Sequence, residues 1–124
     1  MFFKSALIIE DDEGLQHYIK LLFKKHYPDT QLIQTYDGSE ALELLSGIEQ
    51  MPELILLDIN MPGMDGFEFL KQIEHMTPKI DSKIVIVSSS DNAVDMHKVK
   101  FHTMVQDYIV KPIHKEDLDR LAQT

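Results

Sequence analysis

A chain of 124 residues, 44% hydrophobic and 27% charged, suits one soluble domain with one layered core and leaves no length for a second. A formal net charge of −9 argues against a nucleic-acid-binding surface, which gathers Lys and Arg, but not against a basic partner or a bound divalent cation. With no cysteine, disulfides and thiolate metal sites are excluded.

The apolar start meets Glu10-Asp11-Asp12 before a signal-peptide core can form, and no apolar run approaches membrane-spanning length. A cytoplasmic domain is expected. Ala6–Ile9 is the first expected strand. Leu15, Ile19, Leu22 and Phe23 then recur at helical spacing to about His26, with Asp12 suited to the N-cap. Tyr27-Pro28-Asp29 breaks that helix. Leu32–Tyr36 reads as a second, less apolar strand nearer an edge, and Asp37-Gly38 turns the chain into a helix carrying Ala41, Leu44, Leu45 and Ile48.

Leu54–Leu57 has no polar break, as a strand buried on both faces of a parallel sheet requires. Asp58 follows at once, where open α/β sheets carry their chemistry, although on this stretch alone it serves equally well as a turn cap. Gly63 and Gly66 are expected to supply backbone freedom in the loop, and Asp65 to fix or cap it. Phe67, Leu70 and Ile73 mark a helix ending near Met76-Thr77-Pro78. Ile84–Val87 is the fourth expected strand, followed by a polar loop from Ser88 to Asn92. The spacing over Ala93–Phe101 predicts a helix, though less regularly than elsewhere. Tyr108–Val110 is the fifth strand, stopped by Lys111-Pro112, and Glu116–Ala122 is a short last helix.

Five alternations of strand and helix, without linker or repeat, predict an α/β, flavodoxin-like three-layer sandwich with a five-stranded parallel sheet of order 2-1-3-4-5 and five helices. That order brings Glu10, Asp11, Asp58, Ser88 and Lys111 to one edge. Three carboxylates so placed repel, and a hard divalent cation held by oxygen ligands, Mg²⁺ for preference, relieves the repulsion. Lys111 and the Ser88 hydroxyl add what a phosphoryl group needs around its oxygens while a nucleophile attacks in line.

These residues, with Leu56-Leu57-Asp58-Ile59-Asn60-Met61-Pro62, Met64-Asp65-Gly66, Val87-Ser88-Ser89 and Tyr108-Ile109-Val110-Lys111-Pro112, resemble the receiver domain of bacterial two-component response regulators, the CheY-like superfamily. The likeness covers essentially the whole chain, so 1–124 is expected to be a single response regulatory domain. The resemblance implies Asp58 as phosphoacceptor from a sensor histidine kinase or histidine phosphotransfer protein. It implies Mg²⁺ held by Glu10, Asp11, Asp58 and the Asn60 carbonyl. Lys111 would pair with Asp58 and then with a phosphoryl oxygen. Ser88 and the Ser89 amide would close on the phosphoryl group, with Tyr108 turning inward as the switch aromatic. It also implies a cis Lys111-Pro112 bond.

Plainer roles stand beside these. Tyr108 also suits an ordinary strand aromatic, the six histidines show no ligand spacing, and the internal methionines read as gap-fillers. The chain departs from the family pattern at Met104 and Val105, where Gly and Ala are frequent, so the path of the fourth helix is open. Ser89 replaces a smaller residue, which bears on water access to the phosphoryl group, and the last helix is about two turns short. Competing classes are a haloacid-dehalogenase-like or topoisomerase–primase-like Mg²⁺-dependent phosphotransfer enzyme and an unphosphorylated docking module. The enzymes require Asp-x-Asp where this chain has Asp58-Ile59-Asn60. A self-modifying switch, not a turnover enzyme, is therefore expected. It would act on an unknown downstream protein, without direct contact to nucleic acid or membrane.

Overall fold

A computed structural model describes residues 3–76, 81–89, 97–99 and 103–123. The elements are β1 (Ser5–Ile9), α1 (Glu13–His26), β2 (Gln31–Thr35), α2 (Gly38–Gly47), β3 (Leu54–Leu57), α3 (Gly66–Ile73) and β4 (Lys83–Ser88), then a helical stretch α4 (residues 97–99), β5 (Val105–Val110) and α5 (Lys115–Ala122). All strand pairs are parallel, in the order β2-β1-β3-β4-β5. The expected topology is therefore the observed one. Of the helix expected over 93–101, only 97–99 lie among the described residues, and the loop from Ser90 to Asn92 lies outside them.

Alternation along the central strands divides the core between two faces. Leu7, Ile9, Ile55, Leu57, Ile84 and Ile86 pack with Ala41, Leu45, Phe69, Leu70 and Val99 on the side of α2 and α3. Ala6, Ile8, Leu54, Leu56, Val85 and Val87 pack with Ile19, Phe23, Leu118 and Leu121 on the side of α1 and α5. Helices cover both faces, so β3 is apolar at every position. β2, at the sheet edge, needs no such run.

Three helices start on aspartates that satisfy otherwise orphaned amides. Asp12 accepts from Leu15 N–H at 3.0 Å, Asp37 from Glu40 N–H at 2.7 Å and Asp65 from Glu68 N–H at 2.9 Å.

The fifth strand is three residues longer than the sequence pattern suggests. Ile84 pairs with Val105 but Val85 with Asp107, so Gln106 is an extra residue in a bulge. The bulge lets Val105 and Tyr108, three apart, pack on the same apolar cluster, which strict alternation forbids. That shift hides the strand's first half from a period-two reading.

The two loop glycines differ. Gly63 has φ +79°, the left-handed backbone expected of it. Gly66 does not; a Cβ there would lie 2.6 Å from Ile59 Cα and 2.8 Å from the Asp58 carbonyl oxygen. Its expected role as a flexible residue is corrected to one of close approach: α3 begins hard against the backbone of Asp58.

Candidate functional site

Sheet register assembles the site. Ile9 is paired with Leu57, so Glu10 and Asp58 leave adjacent strands side by side, and Asp58 N–H donates to the Ile9 carbonyl at 3.0 Å. Ser88 is paired with Val110, and Lys111 N–H donates to the Ser88 carbonyl at 2.8 Å. The Lys111-Pro112 peptide is cis, as expected.

Glu10, Asp11 and Asp58 each present a carboxylate oxygen within 4.8 Å of the others. Glu10 and Asp58 are only 3% and 4% exposed, whereas Asp11 opens to solvent. Lys111 Nζ lies 2.7 Å from Glu10 Oε1 and 3.6 Å from Asp58 Oδ2. The expected Lys111–Asp58 pair is present, but the ammonium sits closer to Glu10. Asp58 Oδ1 accepts from Asn60 N–H at 3.1 Å, and Glu10 Oε2 accepts from Asp12 N–H at 3.1 Å.

Burial pushes the Glu10 carboxyl up to about 7, reinforced by the Asp58 charge and opposed by Lys111 and the Asp12 amide. Burial likewise raises Asp58, against the Asn60 amide and the Lys111 charge. One ammonium thus compensates two desolvated carboxylates incompletely. A hard cation would complete the compensation, and the three carboxylates offer the oxygen donors such an ion takes.

Ser88 is fully buried, and its hydroxyl oxygen accepts from Asn60 Nδ2 at 3.2 Å. Asn60 was expected to contribute its carbonyl; the bonds observed are from its backbone amide to Asp58 and from its side chain to Ser88. Ser89 follows on the exposed rim. Tyr108, opposite Ile86 on β5, is half-buried against the apolar cluster on the α2/α3 side.

Sequence reasoning missed Gln16. It is 1% exposed, and its side-chain amide reaches the carbonyls of Thr35, Glu10 and Ile8 at 2.7, 3.1 and 3.3 Å. The available signal was its place three residues before Ile19 and seven before Phe23, on the buried face of α1.

A family model for the response regulator receiver domain matches residues 6–123. The chain belongs to that family. This receiver is 34% identical over 121 residues to the Regulator of RpoS of Escherichia coli (strain K12), covering 97% of the chain but 33% of that relative, so it spans about a third of the relative's length. Among solved structures, a two-component response regulator from Cytophaga hutchinsonii superposes with TM-score 0.89 at 26% identity, covering 99% of this chain and 96% of the other. The Mn(2+)-bound form of response regulator Rcp1 gives TM-score 0.77 at 29% identity over 97% and 89%. Receivers are phosphoryl-accepting signalling modules of two-component systems, not enzymes that turn over an external substrate. No helix among the described residues is long and apolar enough to cross a membrane.

Proposed function

We propose that this receiver takes a phosphoryl group from the phosphohistidine of a sensor histidine kinase or phosphotransfer protein onto Asp58. An Asp58 carboxylate oxygen attacks phosphorus, the new P–O bond replaces the P–N bond, and the imidazole nitrogen leaves with the electron pair. Glu10, Asp11, Asp58 and the Asn60 carbonyl would hold Mg²⁺, which when bound supplies positive charge to the phosphoryl oxygens.

The chain's own groups do the rest. Asn60 N–H orients Asp58 through Oδ1. Lys111, within ion-pair distance of both Glu10 and Asp58, is the cation that follows charge onto a phosphoryl oxygen. Ser88 rotates its hydroxyl from Asn60 to the modified Asp58, and the Ser89 amide closes beside it. Tyr108 reports that closure on the β5 face, where a downstream protein binds. The population shift is set by how much better the phosphoryl group fits the closed arrangement. The setting is cytoplasmic.

The observation that carries this reading is three carboxylates within 4.8 Å of one another, with an ammonium 2.7 Å from the first and 3.6 Å from the phosphoacceptor. Incubation with acetyl phosphate and Mg²⁺, followed by mass spectrometry, tests it. A single base-labile adduct that disappears in Asp58→Asn is expected. No adduct points instead to a docking module, and turnover of a small phosphate ester to an enzyme.

A further inference from the structure

We propose that Gln16 is a positioning residue for the acidic half of the site: its side-chain amide, oriented by Gln34, fixes the backbone at Glu10 and so sets the affinity for Mg²⁺. The proposal rests on the reading that Glu10, Asp11 and Asp58 hold that ion.

The carboxyl ends of β1 and β2 converge on this one amide. Nε2 of Gln16 donates at 2.7 Å to Thr35 O, the last residue of β2, and at 3.1 Å to Glu10 O, with Ile8 O sharing a proton at 3.3 Å. Two N–H groups therefore serve three carbonyls. Thr35 O also accepts from Glu10 N–H at 3.1 Å, so Glu10 is held at both its amide and its carbonyl.

Gln34 and the three carbonyls together fix which way the amide faces. Gln34 Nε2 donates at 2.7 Å to Gln16 Oε1 and at 2.8 Å to the Gln16 carbonyl, using both its protons. Turned over, Gln16 would set its oxygen against three carbonyl oxygens and its NH₂ against that of Gln34. Gln16 and Thr35 are 1% and 3% exposed, so water cannot replace the lost donors. The Glu10 side chain meets Lys111 and Asp12 N–H, whereas its main chain is held by Gln16 and Thr35. Gln16 touches no carboxylate in the cluster; it acts through the backbone that carries one. Groups of this kind, one step removed from the ligands, tune metal affinity.

The test titrates MgCl₂ into the whole chain and into Gln16→Leu and Gln34→Leu, with binding followed calorimetrically. Urea midpoints and the rate of acetyl phosphate labelling at saturating Mg²⁺ are measured in parallel. Gln16→Leu is expected to weaken Mg²⁺ about tenfold. Gln34→Leu is expected to weaken it less, and the double variant no more than Gln16→Leu alone, because both act through one amide. Labelling at saturating Mg²⁺ falls by less than the affinity does, since Asp58 and Ser88 keep their bonds to Asn60. A purely structural role would lower the urea midpoint and leave Mg²⁺ affinity within about twofold, and that result overturns the proposal. If Gln16→Leu does not fold, Gln16→Met, which keeps the length of the side chain without its amide, decides by the same criterion. Failure of the unmodified chain to bind Mg²⁺ would instead overturn the reading of the cluster itself.

Discussion

The Lys111 ammonium lies 2.7 Å from Oε1 of Glu10, nearer than to Asp58 at 3.6 Å. The two carboxylates leave neighbouring strands in register, and a single lysine from the end of β5 spans both. Removing it leaves two buried acids without their cation, which is costlier than loss of the pair's mutual attraction. Lys111→Met is therefore expected to destabilise the chain by about 2–4 kcal/mol at pH 8 in EDTA. At pH 5.5 the loss shrinks, because Glu10 can take up a proton. Urea denaturation at the two pH values checks both the size and its dependence.

Glu10 also gives the wild-type chain a pH dependence of definite sign. Its folded-state value, about 7, lies above the ordinary 4.5, so the folded state binds more protons between those values. Stability from this group is full below the unfolded value and is lost as pH rises through 7. In EDTA the urea midpoint should fall from pH 5.5 to 8. Glu10→Gln flattens that slope, and excess Mg²⁺ raises the midpoint most at pH 8, where Glu10 is ionised. A midpoint that rises with pH in EDTA contradicts the assignment.

Gly66 and Gly47 should respond oppositely to alanine. At Gly66 the new methyl meets the backbone of Ile59 and Asp58, which cannot yield as a flexible side chain would. Gly66→Ala is expected to lose about 1–3 kcal/mol and to slow labelling of Asp58 by shifting its carbonyl. At Gly47, the last residue of α2, nothing lies within 4 Å, and alanine should be neutral or stabilising by up to about 1 kcal/mol. Thermal melts of the two variants make the comparison.

Tyr18 ties α1 to the loop after Lys111-Pro112. Its hydroxyl donates to the Ile113 carbonyl at 2.6 Å across 95 residues of sequence. Tyr18→Phe keeps the ring and should cost about 1 kcal/mol in urea denaturation. Amide exchange should quicken around 111–114 before it does in β1 or β3.

The sequence by itself determined most of the architecture. Two-sided burial of a parallel sheet writes itself as unbroken apolar runs at Leu54–Leu57 and Ile84–Val87, helices announce themselves by spacing, and aspartates mark where they begin. Strand order follows from alternation and handedness, and it places Glu10, Asp11, Asp58, Ser88 and Lys111 at one edge. What the tertiary structure alone decided are relations without a period. These include the bulge at Gln106, the backbone contact that requires Gly66, the preference of Lys111 for Glu10 and the buried amide of Gln16. Each depends on side chain meeting backbone, or charge meeting charge, across distant segments. Local spacing records which face a residue occupies, but not which carbonyl or carboxylate waits there.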